Sequence, residues 1–397
     1  MNYFFYNTYK YILILNIILL FLWGCSDKNT EKNNVDNNQI LHFDVTSWEK
    51  EKTIPLKILD DIDFIPLETN DECLIGEIIK IVIENDLIYI QDRGYNQSIL
   101  IFKLSGEYVN QIGSRGKGPG EFLEISDFVV DHNNLELLVL DMRQQKVIKY
   151  NLHNGDFKNE IKIDFSAINF VKLSNNKLCF YSNLPHQIKG LDYSITILDE
   201  NYKLSNNYLP KDIYDTFLNY PHSLYKSESV YFASYFKDTV YKITENGVIP
   251  SISFNFGENK IPKNKLSVVK HVRDVVKIRN ENELTYGLNN VIENTSFLTF
   301  NFYLQRKKNI VIYSKKTGNY YYGERYDGIL SHFLNLKNIS EYNHKFYSSV
   351  DAFLFKQIKN QIIDYNEVGI KNKYLKTYDA LTSNANPILI AISYHKF

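Results

Sequence analysis

The sequence predicts an all-β fold: a six-bladed β-propeller whose ring is closed by an N-terminal strand. Three observations point there. A blade-length repeat carries two anchors at one offset, short apolar runs alternate with polar turns along the chain, and an unpartnered strand stands near each end. The repeat is clearest early. "IVIENDLIYIQD", Ile81 to Asp92, is two apolar runs around a polar turn, the signature of a hairpin, and "FVVDHNNLELLVLD", Phe128 to Asp141, repeats it. A polar gap and a third strand follow each, in "SILIFKLSGEYV" (Ser98 to Val109) and "KVIKYNLHNGDF" (Lys146 to Phe157). Asp92 recurs at Asp141 and Gly106 at Gly155, both 49 positions on. A unit of this length, with four antiparallel strands that cannot bury both faces alone, is a propeller blade.

Weaker copies follow in order. Phe170 to Ser182 with Ser194 to Leu204 supplies a third blade, Ser229 to Ile249 a fourth, and Phe297 to Gly323 a fifth. Asn343 to Phe355 opens a sixth, interrupted by "FLFKQIKNQIIDY", whose apolar spacing is closer to a helical period of 3.6 than to a strand's 2. Asn259 to Asn294 is rich in charge, with helical spacing in "KNKLSVVKHVRDVVK", and whether it is an insertion or part of the ring stays open at this point. "NPILIAISYHK", Asn386 to Lys396, is a terminal strand, and Ile54 to Thr69 precedes the first blade without a partner of its own. Pairing these two closes the ring in blade six; a seventh blade is the alternative count.

With 397 residues the chain can bury a large core without staples. Its formal net charge of -1 gives no field to draw nucleic acid, which excludes that partner class as a first reading. Tyrosine (31) and phenylalanine (25) are abundant and suit pleated sheets. Cys73 and Cys179 each sit in an apolar run, as buried free thiols do, although outside the cytoplasm they have the option of pairing.

The first residues read as an address. The apolar run Tyr11 to Trp23 is short for a membrane span and suits a signal-peptide core. It ends in "LWGC", Leu22 to Cys25, which resembles a bacterial lipobox with Cys25 as the lipidated residue. Residues 1–24 are then the signal peptide, 25–40 a flexible tether with almost no apolar residues, and 41–397 the propeller. The Ser26-Asp27 start of the tether resembles the export signal of surface lipoproteins of the Bacteroidota.

Between blades one and two lies "IGSRGKGPGEF", Ile112 to Phe122. With Asp92, Asn96, Ile99, Phe102 and Gly106 before it, and Gly113, Gly116, Gly118, Pro119, Gly120 and Phe122 within it, this stretch resembles the NHL-type repeat and its linker. Phe236, Asp238, Thr239, Val240, Tyr241 and Ile243, with Asn386 to Leu389, extend the likeness. The whole is similar to the six-bladed β-propeller lipoproteins of the Bacteroidota. That resemblance implies an outer-membrane lipoprotein, periplasmic or surface-exposed, and no settled activity.

The glycine-rich stretch is not a phosphate loop, because it lacks the G-K-[ST] ending and leads into a strand rather than a helix. It reads as a joint whose glycines permit turns, with Arg115 and Lys117 as candidate anion contacts and Glu121 as a partner for Arg115. Tyr225, and the run Tyr320 to Tyr322, are candidate aromatic contacts. The nine histidines show no paired metal-ligand spacing, so no metal or other cofactor is called for. Two functions stand. The favoured one is a lipid-anchored binding or scaffold module for a glycan, peptide or envelope protein; the alternative is a metal-dependent hydrolase or lyase, lactonase-like, with its site at the channel mouth.

Overall fold

The computed structural model describes residues 40–397 apart from 50–51, 95–96, 183–191, 213, 216–221, 282, 329–330, 332–333, 335–338, 364–367 and 383. The signal segment, Cys25, the tether through Gln39, and Asn96 lie outside the described residues. No helix among the described residues is long and apolar enough to cross a membrane.

Six four-stranded antiparallel units follow one another around a ring. Blade one comprises Ile78–Glu84, Leu87–Asp92, Ile99–Lys103 and Tyr108–Ile112. Blade two is Asp127–Asp131, Glu136–Asp141, Lys146–Asn151 and Phe157–Lys162, and blade three Asn169–Lys172, Leu178–Tyr181, Tyr193–Leu198 and Leu204–Pro210. Blade four is Leu224–Lys226, Val230–Ala233, Thr239–Thr244 and Gly247–Asn255. Blade five is Thr285–Glu293, Phe297–Leu304, Lys307–Ser314 and Tyr320–Gly323. The first strand of each blade packs on the first strand of the next, and the circuit closes from blade six back to blade one.

Apolar burial follows this ring. One buried cluster joins Tyr89 and Ile101 of blade one to Phe128 and Val139 of blade two; the next joins Leu138 of blade two to Phe170 and Phe180 of blade three. Each blade thus covers one face with its neighbour, the reason a single blade has no independent core. Cys73 and Cys179 are buried and free within this packing.

Blade six is built from Ser340–Tyr342, Lys345–Val350, Ile388–Tyr394 and the N-terminal strand Leu59–Pro66. Ile390 pairs with Phe64 and Ile388 with Pro66 in the antiparallel register expected of a closing strand. Only the middle of the predicted 54–69 segment does this. Thr53–Ile54 instead pairs in parallel with Arg325–Tyr326, and Leu56–Ile58 forms a short 3-10 turn.

Two further features extend the sequence reading. The stretch Asn259 to Asn294 is only partly an insertion. It holds the helices Lys263–Ser267 and Val272–Asn280, but Thr285–Glu293 is the channel-side strand of blade five. Its aperiodic polar residues Asn289 and Asn290 hid it, since the register shifts there and breaks the alternation. Second, Leu41–Asp44 adds a fifth, parallel strand to the edge of blade four. From there the chain runs along blade five, where the Trp48 ring stacks on Tyr322 at 4.0 Å.

The helical interruption of blade six is real, as Ala352–Gln357, Lys359–Ile363 and Val368–Ala380. Phe355 and Tyr374 stack at 4.5 Å and pack edge-on against Phe64 of the closing strand. Lys373 from the third helix and Lys345 from blade six both reach the carboxylates of Asp61 and Asp63. Burial alone would raise the Asp61 carboxyl, but hydrogen bonds from these two ammonium groups outweigh it and hold it well below the usual range.

Asn386 locks the closure. Its side-chain amide donates to the carbonyls of Glu68 (2.6 Å) and Cys73 (2.8 Å), while its side-chain oxygen accepts from the Ile75 amide (2.9 Å). The terminal strand thereby grips the linker into blade one. Asn386→Ala leaves these buried groups unpaired, and a loss of about 2–4 kcal/mol in urea unfolding is expected. An unchanged midpoint would show the clamp to be incidental.

Candidate functional site

The glycine-rich stretch is a blade joint. It runs from the outer strand of blade one to the inner strand of blade two, and Ser114–Arg115 pairs in parallel with Glu121–Phe122 across its turn. Gly113 (φ 86°) and Gly120 (φ 74°) occupy left-handed backbone. A Cβ at Gly120 would stand 2.7 Å from Phe157 Cβ of blade two, so the glycine also permits the close approach of the two blades. Asp92 and Asp141 explain their own recurrence. Asp92 accepts from the amides of Gly76, Glu77 and Gly94, and Asp141 from those of Leu123, Arg143 and Gln144. In each blade this aspartate pins the incoming linker to the second hairpin.

Glu121 turns inward and accepts from the Gly118 amide at 2.7 Å, closing the loop on itself rather than pairing with Arg115. Arg115 lines a small depression of about 160 Å3 with Arg93 and Arg143, which are paired to Glu77 and Glu124 respectively. Lys117 is not among the residues lining it. Tyr225 faces the central channel, is buried in the packing of blades four to six, and donates its hydroxyl proton to the His222 carbonyl at 2.7 Å. Tyr320 to Tyr322 are not gathered with these. Tyr320 and Tyr322 pack on the N-terminal segment, and the Tyr322 hydroxyl accepts from the Glu49 amide.

The concave feature that the fold builds is the channel itself, about 290 Å3 and lined by the first strands of the blades. Ile81, Val129, Val171, Leu224 and Ile292 give it apolar walls. Its inner end carries a belt of inter-blade hydrogen bonds. Lys80 Nζ reaches Asp127 Oδ1 at 2.7 Å, the other oxygen of Asp127 accepts from Asn169, and Asn169 Oδ1 accepts from the Leu224 amide at 2.7 Å. Blades one to four are tied in sequence through these side chains.

His222 sits against this belt. Its Nε2 is buried without a hydrogen-bond partner among the described residues, and its other contact is with the Ile79 main chain. Burial pushes the ring below its ordinary value; the Ile79 contact pushes the other way, as a carbonyl accepting from a ring N–H does. The proton therefore rests on Nδ1, and Nε2 presents a lone pair.

The outer end of the channel opens into a wider mouth, about 550 Å3, that shares Glu84, Val130, Lys226 and Ser227 with it. Asp131 and Lys172 form an ion pair at its rim. Glu84 and Lys226 form no direct ion pair, yet each feels the other. Burial raises Glu84, with Lys226 opposing; burial lowers Lys226, with Glu84 and Asp131 opposing. Glu341, on the first strand of blade six, is also raised by burial. Among the described residues no group of three or more His, Cys, Asp and Glu side chains converges in a way that would hold a metal ion.

Sequence reasoning missed Lys80, Glu84, Lys226 and the role of His222. The available signal was positional: each lies in or beside the first strand of a blade, where a charge interrupts an apolar run.

A family model described as "Domain of unknown function (DUF4934)" matches residues 36–393. The chain belongs to the DUF4934 family. A comparison with curated proteins found no significant match. Among solved structures, a Bacteroides fragilis NCTC 9343 protein described as exported shares 21% identity, covers 90% of this chain and 100% of its own, and superposes with a TM-score of 0.74. A member of the DUF4221 family from Bacteroides vulgatus ATCC 8482 shares 9% identity, covers 85% of this chain and 97% of its own, with a TM-score of 0.53. At these identities the likeness is one of fold, and this DUF4934 chain shares the propeller with both.

Two outcomes test the joint and the belt. The Arg115→Ala, Lys117→Ala double variant should unfold within about 0.5 kcal/mol of the parent, whereas Gly120→Ala should cost about 1–3 kcal/mol from its left-handed backbone. The depressed His132 and His222 bind protons less readily folded than unfolded. Below the ordinary histidine value near 6.5 the unfolded chain thus gains protons first, and stability falls with pH. The raised acids Glu84, Glu341 and Asp215 act in the opposite sense, so the measurement is a difference. A His132→Gln, His222→Gln variant should lose less stability than the parent between pH 7.5 and pH 5.

Proposed function

We propose that this protein is a lipid-anchored β-propeller of the cell envelope that binds a ligand through its central channel and channel mouth, as a binding or scaffold module rather than a metal-dependent enzyme. The observation that carries the reading is the channel. It has apolar walls, a charged mouth whose Glu84 and Lys226 are not neutralised by direct contact, and a buried acceptor at its inner end. Such a combination of apolar lining and a few convergent polar groups is that of ligand sites. The lipobox-like "LWGC" and the polar stretch after it support anchoring through Cys25, since lipid chains on a flexible tether hold a soluble domain at a membrane. The fold likeness to a Bacteroides protein described as exported is consistent with an extracytoplasmic address. Arg115, Lys117 and Tyr225 remain secondary candidates for ligand contact at the joint and the channel wall.

Two measurements test this reading. Cys25→Ala expressed in a Bacteroidota host should leave the membrane fraction that holds the parent; co-sedimentation of the variant would refute lipidation at that residue. Elemental analysis of the purified chain after incubation with zinc, calcium and manganese should find no stoichiometric ion, and one ion per chain would move the assignment to the metal-dependent hydrolase or lyase.

A further inference from the structure

We infer that the channel mouth is a binding site for a zwitterionic α-amino acid, its carboxylate on Lys226, its ammonium on Glu84, and a hydrogen-bond-donating side chain directed down the channel toward His222. This deepens the channel-binding reading and rests on it.

The argument is one of charge left over after pairing. Charged side chains from several blades stand along the channel and its mouth, with Glu228, Lys242 and Glu245 at the outer rim. Lys80 is paired with Asp127, Lys172 with Asp131, and Glu341 of blade six accepts from the His344 amide, whereas Glu84 of blade one and Lys226 of blade four have neither an ion pair nor a side-chain hydrogen bond among the described residues. These two are of opposite sign, line the same cavity from different blades, and are coupled without touching. A gap with carboxylates, Glu84 and Glu341, on one side and the Lys226 ammonium on the other is electrostatically complementary to a ligand that carries both charges a few ångströms apart. A purely anionic or purely cationic ligand would satisfy one side and be repelled by the other. Glu84 is half-buried in the wall and Lys226 is exposed at the mouth, so a ligand carboxylate can meet the lysine from solvent while the ligand ammonium meets the deeper carboxylate, which burial has raised.

The second observation lies deeper. His222 precedes Lys226 by four residues, roughly 13 Å of extended chain, and presents an unpartnered Nε2 lone pair in the same cavity. A buried acceptor without a donor costs free energy that a ligand donor recovers. Between the two levels the walls are Val82, Val130, Val171 and Leu224, which suit a methylene stem. An amino acid with an aliphatic stem and a terminal N–H matches the three levels in order, and the cavity of about 290 Å3 is ample for one.

The probe is L-glutamine, titrated calorimetrically into the full-length protein in detergent, beside N-acetyl-L-glutamine, L-glutamine amide and L-norleucine. Saturable binding of glutamine is expected, weakened roughly tenfold or more by blocking either charge, and less strongly by norleucine, which keeps the head but lacks the donor. Lys226→Met and Glu84→Gln should each reproduce the loss for their own half of the head. Lys226→Arg should retain binding, and unchanged thermal unfolding of all three verifies that they fold. Equal affinity for the blocked forms, or no binding of glutamine, overturns the inference. If a neutral oligosaccharide binds instead and is displaced by channel substitutions, the zwitterion fails while the channel-binding module stands.

Discussion

The structure depends on one non-local pairing, that of Leu59–Pro66 with Ile388–Tyr394. In every other blade the four antiparallel strands come from a contiguous stretch of chain, and each could in principle stack on its predecessor in an open arc. An open arc would leave one face of blade one and one face of blade six in water. Closing it buries Leu389 and Ala391 against Ile83 and Ile90 of blade one, and so completes the last of the inter-blade layers. The entropic cost of joining segments more than three hundred residues apart grows only slowly with loop length, so the apolar area gained at the seam decides the balance.

Asn386 and the helical interruption reinforce that seam from two sides. Asn386 holds the linker into blade one by both ends of its amide, and the third helix of the interruption lays Lys373 and Tyr374 over the closing strand. The N-terminal segment then binds the outside of the ring, as a parallel strand on blade four, a Trp48 stack on blade five and a two-residue pairing beyond it. Ring geometry in turn sets the channel. Because the six inner strands are held side by side, charges that would each be solvated on an isolated blade face one another across a narrow space. The belt of Lys80, Asp127 and Asn169 and the unneutralised pair Glu84 and Lys226 are both products of that enforced proximity.

The joint "IGSRGKGPGEF" shows how local and global demands meet. Its glycines answer a local demand, left-handed backbone at Gly113 and Gly120, and a packing demand, contact with Phe122 and Phe157 closer than any Cβ allows. The charged residues among them answer neither, and the loop closes on Glu121 and the Gly118 amide instead. A glycine-rich loop with basic residues is therefore explained here by backbone geometry alone.

By itself the sequence determined the blade repeat, the strands of blades one to five in outline, the helical break in blade six and the partner of the closing strand. These rest on periodicity, turn chemistry and recurrent anchors such as Asp92 and Asp141, all of which act within one hairpin or its adjoining linker. Tertiary structure alone decided what lies across the ring. The blade-five strand Thr285–Glu293 is recognisable only by its place on the channel, since its alternation is broken at Asn289 and Asn290. Glu84 lies on blade one and Lys226, with His222 just before its strand, on blade four, and no sequence spacing relates the glutamate to the other two. Their meeting is fixed by radial stacking, which converts equivalent positions in different repeats into neighbours around one axis, and that relation exists only once the ring has closed.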